Sequence, residues 1–427
     1  MTDKIVRPVK RLQGIVELPG DKSISHRALL LNAVANGDSR ITGLSGANDV
    51  QSTAACLKKL GAKINKAKGG VIVHGVGMQG LHAPKGVLNA GNSGTTLRLL
   101  SGILAAQDFT STIDGDESLR NRPMRRIIEP LELMGARITS DGNKAPITIA
   151  GNPLRAIDFA SPISSAQVKS CVLIAGLYAR GVTRVTEPYQ SRDHTQRMLA
   201  EMGVKVHSAG ELTAIKGPTE LAARDIDVPG DISAAAFFLV AAALSQNSEL
   251  TMENVGANLT RTGILDAMAS MGANFEVLQQ GELNNEPRVQ LIARSSSLKG
   301  TTLGGAMIPR IIDEIPIIAI AATQADGVTT IKDAGELRVK ESDRISAISD
   351  NLLRMGARVR ELKDGLVITG PTPLRGAEID SHGDHRIAMA FSIAALIAEG
   401  ETVIKDVDCV GISFPDFYAR LDSICSD

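Results

Sequence analysis

The chain has 427 residues, more than one ordinary hydrophobic core accommodates, so two domains or one internally duplicated domain are expected. Lys and Arg total 46 against 47 Asp and Glu, a formal net charge of −1, and aromatics are 3% with no Trp, which argues against a chain built to neutralise phosphates or stack the bases of nucleic acid. Apolar residues at 43% and charged residues at 22% suit a soluble folded protein, and the longest apolar run, Ala234–Leu244, falls well short of the ~20 residues of a membrane span.

The amino-terminal stretch MTDKIVRPVKRLQG has basic residues but neither an apolar segment nor a small-residue cleavage site, so no signal peptide is expected. LPGDKSISHRALLLNAVANG then begins at Leu18, and VPGDISAAAFFLVAAALSQN at Val228 repeats its Pro-Gly-Asp-x-Ser start, with the two prolines 210 residues apart. Ala-rich helices are predicted to begin near Ser25, Gly94, Ser164, Asp231, Ile312 and Asp384, at intervals of 69, 70, 67, 81 and 72 residues. Most lead into a β-rich stretch such as VTRVTEP, VTTIKDA or ETVIKDV. A second helix then closes in a shared phrase: KKLGAKI, ELMGARI, AEMGVKV, ASMGANF and LRMGARV. The glycines, Gly61, Gly135, Gly203, Gly272 and Gly356, are the expected C-caps before a strand. The last unit ends in FPDFYARLDSIC, with no such strand expected.

These spacings favour an α/β protein of six β-α-β-α-β-β units, three per half, over a doubly wound sheet with coincidental phrases. Crossovers fall near Pro19–Gly20 and Pro229–Gly230. Residues 20–229 would form an inserted domain, and residues 1–19 with 230–427 the other, completed by the amino-terminal segment. Cys56, Cys171, Cys409 and Cys425 are scattered without any C-x-x-C, which suits a reducing cytoplasm and neither a disulfide framework nor a zinc site.

Most of the long helices start on residues that cap or permit tight turns, in GDKSISHR, GNSGTTLR, SSAQVK, GDIS and GDHR. Lys22 and Arg27, Arg98, Lys169 and Arg386 follow within about two turns, and a cation near the free N–H groups of a helix start makes an anion site. Three further clusters join them: Arg120, Arg122, Arg125 and Arg126 around Pro123; Lys340, Glu341, Asp343 and Arg344; and Asp313 and Glu314 within an apolar segment. Taken singly, each has a plainer reading as a solvated arginine patch, an exposed salt-bridge ladder or a tight turn, and His382 and His385 read as caps rather than metal ligands. GDKS lacks the spacing of a nucleoside-triphosphate loop, and no Cys stands in a cation-lined segment, so the expected chemistry is non-covalent acid–base work on a multiply charged anion.

PGDKSISHR, LNAGNSGTTLRLLSG, NRPM, SSAQVK, RVKESDRI and GDHRIAM occur in that order over nearly the whole chain, and together they resemble the 5-enolpyruvylshikimate-3-phosphate synthase family. The resemblance implies a two-domain inside-out α/β barrel, the enolpyruvyl transferase fold, with the active site in the interdomain cleft. It implies transfer of the enolpyruvyl group of phosphoenolpyruvate to the 5-hydroxyl of shikimate 3-phosphate through a tetrahedral intermediate, with no cofactor and no metal. Lys22, Ser23, Arg27, Ser165, Gln167, Arg192, Asp313 and Lys340 would contact shikimate 3-phosphate. Lys22, Gly94, Thr95, Arg122, Gln167, Arg344, His385 and Arg386 would hold phosphoenolpyruvate. The resemblance makes Asp313, Glu341 and Lys22 catalytic, Asp313 handling the hydroxyl proton and Glu341 protonating the methylene carbon. It also implies a cytoplasmic monomer without nucleic-acid or membrane partners, with glyphosate as an inhibitor that competes with phosphoenolpyruvate. Three positions depart from the best-known pattern: EPYQSRDHT, where Arg192 replaces a tyrosine contact; Ile412, where many members have Lys; and Glu336, where an Asn is frequent. The competing readings are a UDP-N-acetylglucosamine enolpyruvyl transferase, which usually has a Cys on its arginine loop where Asp114–Pro123 has none, and a non-catalytic anion-binding repeat protein.

Overall fold

The computed structural model describes residues 2–426. The chain divides into two compact units. One comprises the segment ending at Pro19, Pro229–Gly281 and the residues from Pro287 onward, and the other comprises Gly20–Val228 with Glu282–Glu286. Each has its own apolar core.

Three helices lie at the heart of each unit. In the Gly20–Val228 unit they are Lys22–Ala33, Gly94–Leu104 and Ala166–Gly176. In the other they are Ile232–Leu244, Ile315–Gln324 and His385–Ala395. ISAAAFFLVAAAL has no polar face to give to water, so Ile232–Leu244 is interior almost throughout. Five of the six start on a side-chain cap, from Asp21, Ser93, Ser165, Asp231 and Asp384. The exception is Ile315–Gln324, which begins later than the Ile312 expected because the short Ile308–Ile311 helix precedes it. Its first turn holds Pro316, whose missing N–H costs nothing where no intrahelical acceptor exists.

Among the described residues the strands form separate sheets, three per unit, around these helices. A complete repeat runs strand, buried helix, parallel strand, outer helix and hairpin: Leu88–Asn89 lies parallel to Thr110–Asp114, which pairs antiparallel with Ile147–Ala150 and through it with Arg137–Ser140. The first repeat takes its leading strand from the end of its unit, where Ile226–Asp227 pairs parallel with Asn36–Thr42. The amino terminus serves the other unit: Arg11–Val16 pairs parallel with Glu249–Gly256, and Lys4–Val6 antiparallel with Thr402–Lys405. The last repeat does end in a strand, contrary to the expectation. Cys425–Ser426 follows the Phe417–Ile424 helix directly and pairs antiparallel with Arg11 and Leu12, forming a very short edge strand of that sheet.

The five glycine phrases share one geometry. Gly61, Gly135, Gly203, Gly272 and Gly356 have φ of 98°, 106°, 94°, 83° and 83°, where a side chain would be strained. After each, the next N–H reaches back to the helix, as in Ala62 N to Leu57 O at 3.0 Å and Ala357 N to Leu352 O at 2.9 Å, the Schellman closure that turns the chain into a strand.

Residues 282–286 lie in the sequence stretch 230–427, yet they group with the Gly20–Val228 unit. They form the tip of the hairpin between Asn274–Leu283 and Glu286–Arg294, turning at Asn284 and Asn285 with φ of 53° and 59°. Polar contacts account for their grouping. Asn284 Oδ1 accepts from Asp227 N at 3.0 Å, Asn285 O accepts from Arg197 Nη1 at 2.6 Å, and Glu286 Oε1 lies 2.7 Å from His194 Nδ1.

Candidate active site

In the Gly20–Val228 unit the helix starts gather the predicted cations. Asp21 caps the first helix through Ile24 N at 2.8 Å, which leaves Lys22 in its first turn, with Nζ 2.9 Å from Asp49 Oδ2. One turn on, buried Arg27 donates to Ser23 O at 2.9 Å, Thr195 Oγ1 at 2.7 Å and Ser170 Oγ at 2.8 Å, and so ties three helices together. Ser93 caps the second helix, and Gly94 keeps its start bare. A Cβ on Gly94 would lie 2.9 Å from Arg98 Nη1 and 3.3 Å from Arg122 Nη1, so two guanidiniums converge on open backbone. Arg122 Nη2 donates to Asn92 Oδ1 at 2.6 Å. Arg98 donates to Gln167 Oε1, whose Nε2 donates to Thr95 Oγ1 at 2.9 Å. Behind them His26 Nδ1 meets Thr53 Oγ1 at 2.7 Å, and Thr53 meets Thr96 at 2.6 Å. Burial, with Lys22 and Arg27 adding to it, holds the His26 pKa well below its ordinary value and keeps the ring neutral.

Ser165 caps the third helix, its Oγ accepting from Val168 N at 3.4 Å. Arg192 lies half-buried on the loop before the His194–Glu201 helix.

In the other unit the predicted residues meet around one guanidinium. Arg344 is buried, its side chain 1% exposed. It donates from Nε to Asp384 Oδ2 at 2.7 Å and from Nη2 to Glu341 Oε2 at 2.7 Å, while Nη1 lies 3.4 Å from Asp313 Oδ1. Burial opposes its charge, but Asp384, Glu341 and Asp313 outweigh it and raise the pKa above the usual arginine value. Asp313 also has Lys340 Nζ at 3.6 Å and Arg386 Nη2 at 3.8 Å, and its carbonyl accepts from Arg386 Nη1 at 2.9 Å. His385 is buried in the first turn of its helix beside Arg386. Two carboxylates held in a cation-lined setting can exchange protons with a bound substrate, and the guanidinium forks can grip its carboxylate or phosphate.

The structure thus brings Lys22, Ser23, Arg27, Gly94, Thr95, Arg122 and Gln167 together in one unit, and Asp313, Lys340, Glu341, Arg344, His385 and Arg386 in the other. Several cations counted at helix starts or in the arginine loop do not join them. Lys169 is buried and held by Glu187 at 2.7 Å rather than offered to an anion, Arg120 pairs outward with Asp114, and exposed Arg125 lies 3.6 Å from Glu129. Of the arginine loop, Arg122 alone is buried, because the helix Glu117–Asn121 ends there and turns it inward. Sequence reasoning did not single out Asp49 or Glu187, and it named Asp384 only as a helix start, although these acids position the cations. The signal for Asp384 was its place in GDHR, matching the capping Asp21 and Asp231 of GDKS and GDIS.

Comparison with known proteins settles the family. The profile described as EPSP synthase (3-phosphoshikimate 1-carboxyvinyltransferase) matches residues 6–421. The chain belongs to this family. A 3-phosphoshikimate 1-carboxyvinyltransferase of Bacillus thuringiensis (strain Al Hakam) is 50% identical over 99% of this chain and 100% of its own length, and one of Bacillus cereus (strain B4264) is 49% identical over the same shares. The solved EPSP synthase of Acinetobacter baumannii is similar with a TM-score of 0.87 and 42% identity, covering 99% of this chain and 98% of that one. Within the EPSP synthase family this chain's Ile412 has a structural account: it packs against the apolar core, in a 3-10 turn at Val407–Ile412, where a lysine would have to turn outward. Glu336 is half-buried in the turn Gly335–Val339 that leads into Lys340.

Proposed function

We propose that the chain transfers the enolpyruvyl group of phosphoenolpyruvate to the 5-hydroxyl of shikimate 3-phosphate. Family membership supports the reaction, and the observation that carries the roles is the grouping of Asp313 and Glu341 on one buried guanidinium, Arg344, with Lys340 and Arg386 beside Asp313. In the addition step the 5-hydroxyl oxygen bonds to C2 of phosphoenolpyruvate, Asp313 takes the hydroxyl proton, and Glu341 delivers a proton to C3. In the elimination step C3 returns its proton to Glu341 as the C2–O bond to phosphate breaks and the proton held by Asp313 leaves with the phosphate, which gives the enol ether and inorganic phosphate and restores both carboxyl groups. No electrons are exchanged.

Lys22, Arg122, Arg344 and Arg386, with Gly94, Thr95, Gln167 and His385, hold phosphoenolpyruvate in this reading. Ser23, Arg27, Ser165, Gln167, Arg192 and Lys340, with Lys22 and Asp313, hold shikimate 3-phosphate. Fixed cations placed where anionic charge develops supply the main stabilisation of the intermediate. The enzyme acts as a monomer in the cytoplasm, and glyphosate competes with phosphoenolpyruvate at the bare backbone of Gly94. Burial of the Cys56, Cys171 and Cys409 thiols, which pushes their pKa values up to about 11, about 12 and about 12, suits cysteines that take no part.

Phosphate release is measured with phosphoenolpyruvate and either shikimate 3-phosphate or UDP-N-acetylglucosamine. Turnover of the first acceptor alone is expected. Turnover of the second, or of neither, overturns the proposal.

A further inference from the structure

Between Thr186, where a strand ends, and His194, where a helix begins, the chain has no helix or strand to set its course, yet Arg192 lies there. What holds this loop is a buried ion pair. Glu187 and Lys169 have side chains 1% and 2% exposed, and Lys169 Nζ lies 2.7 Å from Glu187 Oε2. Glu187 Oε1 accepts from Ser165 N at 2.9 Å and from Ser191 Oγ at 2.7 Å, and Oε2 accepts from Ser191 N at 3.3 Å. Lys169 Nζ donates to Ser191 O at 3.1 Å. Both backbone polar groups of the residue before Arg192 are therefore fixed, together with the N–H of the cap residue Ser165. Tyr189 N to Ser164 Oγ at 2.9 Å adds a second tie between the same two segments.

A buried pair of this kind contributes little to stability compared with apolar side chains of the same volume, because desolvation offsets the attraction. What it supplies is a fixed arrangement. Burial holds the Lys169 pKa below its ordinary value even with Glu187 beside it and Asp193 adding support, so the charge depends chiefly on Glu187, its hydrogen-bonded partner.

We propose that Glu187 and Lys169 are positioning residues for the acceptor substrate: they clamp Ser165 and the Arg192 loop in the geometry that holds shikimate 3-phosphate. This rests on the reading that Ser165 and Arg192 contact that substrate. Neither Glu187 nor Lys169 touches the reacting atoms, so the clamp acts on binding of one substrate and leaves the chemical step alone.

Calorimetric titration with shikimate 3-phosphate, steady-state kinetics and thermal unfolding are compared for wild type, Glu187→Gln, the charge-neutral double variant Glu187→Gln/Lys169→Met, Ser191→Ala and Arg192→Ala. Glu187→Gln and the double variant should raise Kd and KM for shikimate 3-phosphate by about tenfold to a hundredfold, with kcat and KM for phosphoenolpyruvate within about twofold, as a misplaced contact does. The double variant should recover thermal stability without recovering affinity. Should Glu187→Gln fail to fold, Ser191→Ala decides, with Kd raised at least about threefold expected for the loss of one hydrogen bond to a charged group. Unchanged affinity in the folded variants, or affinity that returns with stability in the double variant, overturns the proposal. If Arg192→Ala also leaves Kd unchanged, the underlying assignment of the acceptor site has failed; if Arg192→Ala weakens binding while Glu187→Gln does not, only the clamp has.

Discussion

A single methyl group at Gly94 tests the donor site. Its φ lies outside the left-handed region, so alanine meets no backbone strain there. Helix propensity favours the change by up to about 1 kcal/mol, equivalent to a Tm rise of about 2–4 °C for a unit of this size. The consequence falls on the guanidiniums. Ordinary contact begins at 3.4 Å, and the new Cβ would lie 2.9 Å from Arg98 Nη1 and 3.3 Å from Arg122 Nη1, so Arg98 must retreat by about 0.5 Å and Arg122 by about 0.1 Å. Arg98 is tethered to Gln167 and to Pro123 O at 3.3 Å, and Gln167 to Thr95, so the retreat disturbs the whole set. Since a displacement of about 1 Å can cost about a hundredfold, half that distance should raise KM for phosphoenolpyruvate about tenfold. Glyphosate inhibition should weaken with it, while KM for shikimate 3-phosphate should rise less, because Gln167 is the one named acceptor contact that belongs to the disturbed set. Phosphate-release kinetics with each substrate varied in turn, alongside calorimetry, measure all of this. An unchanged KM for phosphoenolpyruvate in a folded variant would refute the reasoning.

Three other outcomes are expected. Asp313→Asn and Glu341→Gln should each lower kcat by at least ~10² while changing substrate affinity little, as removal of an acid–base group does; rapid-quench and binding measurements separate the two effects. Asp384→Asn keeps the helix cap but removes the carboxylate that lies on buried Arg344, so unfolding free energy from denaturant titration should fall by about 3 kcal/mol or more, even with Glu341 still in place. Because the folded pKa of His26 is depressed, its contribution to stability is complete above the ordinary value of 6.5 and declines as pH falls below it, when the unfolded chain takes up a proton that the folded one resists; replacing His26→Gln should flatten that slope in Tm measured across the range.

Much of the architecture could be read along the chain because it is local. A glycine after a helix, an Asp or Ser before one, and an apolar run with no polar face each act over a few residues, and each recurs at a near-constant spacing. The capping Asp21, Ser93, Ser165, Asp231 and Asp384 and the five left-handed glycines all follow from such short-range rules. Where the reading slipped, a distant segment was responsible. Cys425–Ser426 becomes a strand because Arg11–Val16 offers an edge, and the Asn284–Asn285 turn groups with the unit that begins at Gly20 because Asp227 and Arg197 bind it.

The candidate site divides in the same way. Residue types and order drew attention to Lys22, Arg386 and the clusters that hold Arg122, Asp313, Glu341 and Arg344, and the family resemblance singled those residues out within the clusters. The partner of each charge was decided only by folding. Lys169 and Arg122 look alike as cations near helix ends, yet one is locked to Glu187 and the other turns toward Gly94. Charge and hydrogen bonding act through a few ångströms of space, and residues as far apart in sequence as Arg344 and Asp384 share that space only once the helices have packed.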